Sequence, residues 1–217
     1  MTGVLRPLVI VGAGGFGREV LDIVDDFNRV EPTYDVVGFV DDGEPDVQRL
    51  AVRGQRYLGP VTELKDMDAT YVLAIGSGEA RLRLDGLASS WGHPAATLVH
   101  PSCTVGSHVR LGAGTVLAAG ARLTTNIALG RHCQLHQNAT IGHDAEMADC
   151  VTLMPGVNVS GSVVCHPGVT LGTGAAVIQG VTIGADTYVG AGAVVVRDLP
   201  AGMTAVGVPA RPLAHSG

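Results

Sequence analysis

From Val105 onward, an apolar residue recurs at every sixth position without a break. The series is Val105, Leu111, Leu117, Leu123, Leu129, Leu135, Ile141, Met147, Leu153, Val159, Cys165, Leu171, Val177, Ile183, Val189 and Val195. At 46% apolar composition, chance would produce such a run with a probability of about 10⁻⁵, all six phases allowed. Two further frames carry independent signals. Two residues before each member the position is small or β-branched, as at Val109, Ala121, Ile127, Ala139, Val151, Val157, Val163, Val169 and Val181. Three residues after it stands a turn former in twelve of sixteen cases, namely Gly114, Gly120, Asn126, Asn138, Asp144, Gly156, Gly168, Gly174, Gly180, Asp186, Gly192 and Asp198. Gly, Asn and Asp are the residues that best tolerate positive φ. Each repeat therefore predicts a short strand with two inward side chains, closed by a corner. Such repeats bury their apolar side only by stacking, which predicts a prism with one continuous core. No α-helix satisfies a period of six.

Ahead of the repeat the pattern changes to strands alternating with a helix. Leu8–Val11 reads as a buried strand, Val20, Leu21, Val24 and Phe27 follow at helical spacing, and Val36–Val40 and Tyr71–Ile75 read as two more strands. The alternation predicts a small parallel α/β domain over residues 1–95, followed by an all-β domain over 96–217. Between the first strand and the helix lies Gly12-Ala13-Gly14-Gly15-Phe16-Gly17, a G-x-G-x-x-G loop in strand–loop–helix context. Its backbone N–H groups and the helix terminus are suited to a phosphate, and Asp41-Asp42 at the end of the second strand to a ribose or amine hydrogen bond. The competing reading gives the glycines only a tight turn and close helix packing, and leaves the aspartates as solvated turn residues. Fewer than 100 residues make about half of a two-lobed dinucleotide fold. A Rossmann-like half of this size holds a nucleotide or nucleotide sugar rather than NAD with a hydride-transfer site.

Composition narrows the function classes. Thirty-one glycines and only 4% aromatic residues in 217 require small branched side chains to fill the core. A net charge of −6 with a single lysine, Lys65, offers no footprint for a nucleic-acid backbone. No apolar stretch is long enough to span a bilayer and no signal-peptide pattern opens the chain, so a soluble cytoplasmic protein is expected. Cys103, Cys133, Cys150 and Cys165 show no C-x-x-C spacing, and three occupy repeat positions otherwise held by Val, Ala or Leu. They read as small buried hydrophobes rather than zinc ligands or disulfides.

The hexapeptide frames, with Gly after the large apolar residue at Gly106, Gly112, Gly130, Gly142, Gly172, Gly184 and Gly190, resemble those of the hexapeptide-repeat acyltransferases. VGAGGFGREV, FVDD, LAIGSGEARLRL, the His100-Pro101 pair before the repeat and VGVPARPL at Val206–Leu213, taken in order, are similar to the sugar acetyltransferases of bacterial amino-sugar and sialic-acid pathways. The resemblance implies a left-handed β-helix with three strands per coil, about five coils, and trimers whose active sites lie between neighbouring prisms. It also implies acetyl-CoA as co-substrate, no metal, and a nucleotide-activated amino sugar as acceptor.

Direct acetyl transfer needs a base for the attacking nucleophile and donors for the oxyanion. Six of the eight histidines, His100, His108, His132, His136, His143 and His166, lie in or beside the repeat. His108 and His132 fall in the corner frame, where a structural role is expected. Gly142-His143-Asp144 resembles the family's catalytic His with its acidic neighbour, which makes His143 the base and Asp144 its orienting partner; Asp144 is also in the corner frame. Two positions depart from the family pattern: Thr152 stands where relatives often carry a second His that touches the acetyl carbonyl or CoA, and His136, a competing base, stands where they often have Asn. By the same resemblance Thr152, Gly161, Thr173 and Ala191 line the CoA groove, and Gly14, Gly15, Phe16, Asp41, Asp42 and Gly76 hold the nucleotide sugar. Rival readings are O-acetylation of a sialic-acid-like sugar, a non-catalytic nucleotide-sugar sensor, a zinc β-helix of the carbonic anhydrase type, and, on the glycine loop alone, an NAD oxidoreductase. Against zinc, no other histidine stacks eighteen residues from His143, where Thr125 and Gly161 stand.

Overall fold

The computed structural model describes residues 4–213, which fall into two compact units dividing after Pro101. In the first unit, β1 (Arg6–Val11), β2 (Tyr34–Val40), β3 (Tyr57–Gly59) and β4 (Thr70–Leu73) form a parallel sheet in the order β3-β2-β1-β4. Leu8, Val9, Ile10 and Val11 are buried along β1, as a strand covered on both faces demands. Helix α1 (Gly15–Val30) buries Val20, Leu21, Ile23 and Val24 along one stripe and places Arg29 in its last turn, where the cation suits the helix dipole. Helix α3 (Gly78–Ser90), preceded by the short helix α2 (Val47–Ala51), starts at Ser77, whose hydroxyl accepts from Ala80 N at 3.2 Å. The edge strand β3, helix α2 and the 3₁₀ helix Val61–Asp66 carry no periodic signal in the sequence. They are too short for a period to register.

The second unit is a left-handed parallel β-helix with three faces. The first stacks Thr104–Val105, Arg122–Leu123, Thr140–Ile141, Asn158–Val159, Ala176–Val177 and Val194–Val195. A second runs from Arg110–Leu111 to Thr182–Ile183 in five strands. On the third lie Val116–Leu117, Gln134–Leu135, Thr152–Leu153, Thr170–Leu171, Tyr188–Val189 and Thr204–Val206, with Arg211–Pro212 antiparallel at its end. Pairing through the repeats is parallel and advances eighteen residues per coil, as in Gln134↔Thr152↔Thr170. Both expected inward frames are buried from Leu117 and Ala121 onward; in the first coil, with no repeat beneath it, Val105 is exposed and Leu111 half-buried. Each aliphatic side chain enclosed in this way contributes about 1.5–3 kcal/mol, which explains how a chain so poor in aromatics holds a core.

The corners follow the third frame closely. All fifteen of its residues from His108 to Gly192 have φ between 52° and 77°. His108 and His132 adopt this conformation, and so do Cys150 and Ser162, residue types with no special tolerance for it, because the stacked coils fix the corner whatever its side chain. Asp198 departs from the expectation: it does not take positive φ, and its Oδ1 accepts from Thr182 N at 2.8 Å instead.

Candidate active site

In the first unit the loops that leave β1, β2 and β4 gather at the carboxyl edge of the sheet, where the strand order reverses about β1. This is the edge at which open parallel sheets bind ligands. The glycines there divide into two kinds. A Cβ on Gly12, whose φ is +110°, would lie 2.6 Å from Ala74 O, and one on Gly17 would lie 2.0 Å from Gly12 O. These two positions are glycine because the loop packs against the end of β4 and against itself. Gly14 and Gly76 have nothing within 4 Å of an added Cβ, and Gly15 only an Arg18 nitrogen at 3.9 Å, so the floor around them is open. Gly14 caps α1 without a side-chain hydrogen bond, and the first turn carries no acid. The aspartates are more than solvated turn residues. Asp41 Oδ2 accepts from Ala13 N at 2.7 Å and its Oδ1 from Gly43 N at 2.8 Å, tying the glycine loop to the end of β2. Asp42 Oδ1 accepts from Val61 N at 2.9 Å, holding the start of the 3₁₀ helix.

In the second unit His143 and Asp144 lie on the edge between the first and second faces, at the corner that follows Thr140–Ile141. Both side chains are exposed, and His143 Nδ1 lies 2.7 Å from Asp144 Oδ2. A carboxylate only accepts, so the neutral ring carries its proton on Nδ1, and in that form the Nε2 lone pair is available as a base. Asp144 Oδ1 accepts from Asn126 Nδ2 at 3.2 Å. The hydrogen bond from His143, and after it the one from Asn126, holds the Asp144 carboxyl below its ordinary value. Asp144 thus meets both descriptions, corner residue with φ 60° and partner of the histidine. The ring rests on the next coil: a Cβ on Gly161 would lie 2.6 Å from its Cε1 and Nε2 and 3.0 Å from Nδ1. The sequence pattern gives no hint of this seat beyond the eighteen-residue spacing.

The other sequence-selected residues are dispersed. Gly161 shares the edge of His143, whereas Thr173 and Ala191 stand one above the other, exposed, on the edge between the third and first faces. Within one chain these three do not line a common groove. Thr152 is fully buried in the third face, paired with Gln134 and Thr170, and His136 is buried on the same face. The structure therefore brings neither to His143. His132, in its corner, is buried as well, its ring packed where a Cβ on Gly114 would lie 2.2 Å away.

The four cysteines are free thiols, three of them buried and Cys103 half-buried. Cys165 is pushed up to about 12 by burial, with the Cys133 thiol adding to the shift, which leaves it unreactive. Among the described residues no three or more His, Cys, Asp or Glu side chains converge as a metal site, and no helix is long and apolar enough to cross a membrane.

Comparison with known proteins fits this geometry. The family model of the PglD N-terminal domain matches residues 7–84. Among solved structures, a mutant perosamine N-acetyltransferase from Caulobacter crescentus, in complex with CoA and GDP-perosamine, superposes with a TM-score of 0.88 at 32% identity, covering 97% of this chain and 98% of that one. The chain belongs to the bacterial sugar N-acetyltransferases of the hexapeptide-repeat superfamily. Other structures similar to this N-acetyltransferase include the acetyltransferase domain of PglB from Neisseria gonorrhoeae in complex with acetyl coenzyme A (TM-score 0.85, 29% identity, 97% and 100% coverage). WeeI from Acinetobacter baumannii gives a TM-score of 0.82 at 27% identity, with 95% and 99% coverage. A search of curated proteins returned no match to the N-acetyltransferase sequence.

Proposed function

We propose that this protein transfers the acetyl group of acetyl-CoA to the amino group of a nucleotide-linked 4-amino deoxysugar, with His143 as general base. The observation that carries the reading is the His143–Asp144 pair, with Nδ1 held at 2.7 Å from the carboxylate and Nε2 left as the basic nitrogen. The acceptor nitrogen attacks the thioester carbonyl carbon, Nε2 takes the proton it sheds, and collapse of the tetrahedral intermediate expels the CoA thiolate, which the imidazolium protonates. Backbone N–H groups serve the oxyanion, and no acetyl-enzyme forms. Support for nitrogen as nucleophile comes from the relatives, one of which holds GDP-perosamine beside CoA.

Gly14, Gly15 and Phe16 at the α1 terminus, with Gly76 opposite, take the nucleotide phosphates in this reading; Asp41 and Asp42 order the loops around them. Gly161, Thr173 and Ala191 take CoA. Because Thr173 and Ala191 occupy a different edge from His143 and Gly161, one CoA reaches all of them only between two copies, which fits a homotrimer with intersubunit sites. Thr152, buried in the single chain, joins such a site only if assembly exposes it. In this reading the protein works in the cytoplasm, on acetyl-CoA as co-substrate.

The test is thiol release from acetyl-CoA over a panel of GDP-, UDP- and dTDP-linked 4-amino sugars and free sialic acids, on protein whose mass in solution is measured by sedimentation. Turnover with a nucleotide amino sugar by a three-copy species is expected. Release with sialic acids alone would make the protein an O-acetyltransferase, and release with none of them a sensor. A fully active monomer would overturn the intersubunit site.

A further inference from the structure

The corner ladder on the catalytic edge runs His108, Asn126, Asp144, Ser162, each eighteen residues from the next and each at positive φ. Beside it run Ser107, Thr125, His143 and Gly161. Gly, Asn and Asp are the residues best suited to this backbone, and of the three only Asn carries side-chain N–H donors. Asn126 uses one on Asp144 Oδ1 at 3.2 Å, while Asp144 Oδ2 faces His143 Nδ1 at 2.7 Å. Each oxygen of the carboxylate is engaged by a different partner. The Asn126 corner is itself fixed by Asn126 N donating to Ser107 O at 3.1 Å, and the Asp144 corner by Asp144 N donating to Thr125 O at 3.1 Å. An exposed carboxylate tied at one oxygen alone swings about its terminal torsion, which is broad; tied at both, it presents a fixed acceptor to the imidazole.

We infer that Asn126 is a positioning residue that, through Asp144, holds His143 in the tautomer with its proton on Nδ1 and Nε2 free to act as base. This rests on the reading of His143 as the base. The alternative is that the Asn126–Asp144 bond merely stitches adjacent coils, as the Thr140 Oγ1 to Asn158 Oδ1 bond at 2.9 Å does on the first face.

Asn126→Gly separates the two. Glycine accepts the corner φ of 56° without strain, so the change removes the amide and little else. The readout is the pair of imidazole ¹⁵N shifts of His143 at roughly pH 9, where an ordinary imidazole is neutral, assigned by their disappearance in His143→Ala. The parent is expected to show one pyrrole-like and one pyridine-like nitrogen, and Asn126→Gly two partly averaged ones, with the melting temperature moved by less than about 3 °C. In turnover with GDP-perosamine the expected loss is about tenfold in kcat, with the KM for acetyl-CoA unchanged. Asn126→Asp adds a signature that a stitching role does not move: two adjacent carboxylates share a proton as the pH falls, which restores a donor to Asp144, so its kcat relative to the parent climbs on acidification. Unaltered ¹⁵N shifts in Asn126→Gly would overturn the inference, whatever the activity. If those shifts average as expected while His143→Ala retains full turnover, the positioning stands as structure and the assignment of the base fails.

Discussion

His143→Ala is expected to lower kcat for acetyl transfer by about three orders of magnitude, the middle to upper range of what general acid–base catalysis contributes, while the KM for acetyl-CoA stays within about twofold. The side chain is exposed, and its contacts are a hydrogen bond to its neighbour Asp144 and the seat on Gly161. Removing it opens no cavity in the prism core, so the melting temperature should hold. A loss confined to kcat identifies a group that acts in the transition state rather than in binding. Steady-state kinetics of thiol release with the amino-sugar acceptor, run beside thermal melts, checks both halves. Undiminished turnover would remove His143 from the chemistry, and His136, buried on another face, would not be a ready replacement.

How far the sequence alone reaches depends on how often each signal repeats. The prism is legible because Leu117 to Val195 and their small partners restate one geometry over stacked coils, and even the corners at His108 and His132 can be assigned from their frame. The glycine loop is half legible. Its pattern locates the carboxyl edge of the sheet, but not that a Cβ on Gly12 or Gly17 would meet a backbone oxygen at 2.6 or 2.0 Å while Gly14 and Gly76 stand open. Nor does a turn motif reveal that Asp41 and Asp42 reach Ala13, Gly43 and Val61. Residue-by-residue transfer from a family is weakest where the transferred residues fall on different edges of the prism. Gly161, Thr173 and Ala191 look equivalent in the repeat, yet a triangular cross-section sends the first to one edge and the other two to another. Asn126 and Gly161 are visible in hindsight as the residues eighteen before Asp144 and eighteen after His143, since coil stacking turns that separation into contact.

Gly161→Ala is expected to reduce kcat by about two orders of magnitude with little change in stability. The φ of Gly161 is not in the left-handed region, so alanine is tolerated by the backbone. What it cannot share is space: the new Cβ would lie 2.6 Å from Cε1 and Nε2 of the imidazole, distances that carbon never adopts without something shifting. The coil backbone is fixed by bonds such as Gly180 N to Gly161 O at 3.0 Å and Ser162 N to His143 O at 2.7 Å. The ring is the movable part, and it has open solvent to move into. Rotating it away separates Nδ1 from Asp144 and takes Nε2 off its line to the acceptor, and misplacement by about 1 Å costs on the order of 10²-fold in a positioned reaction. A paired measurement of kcat and thermal midpoint decides the matter. Activity lost together with the fold would mean that the corner rather than the ring gives way, and parental kcat in a stable variant would show that His143 does not work from its seat on Gly161.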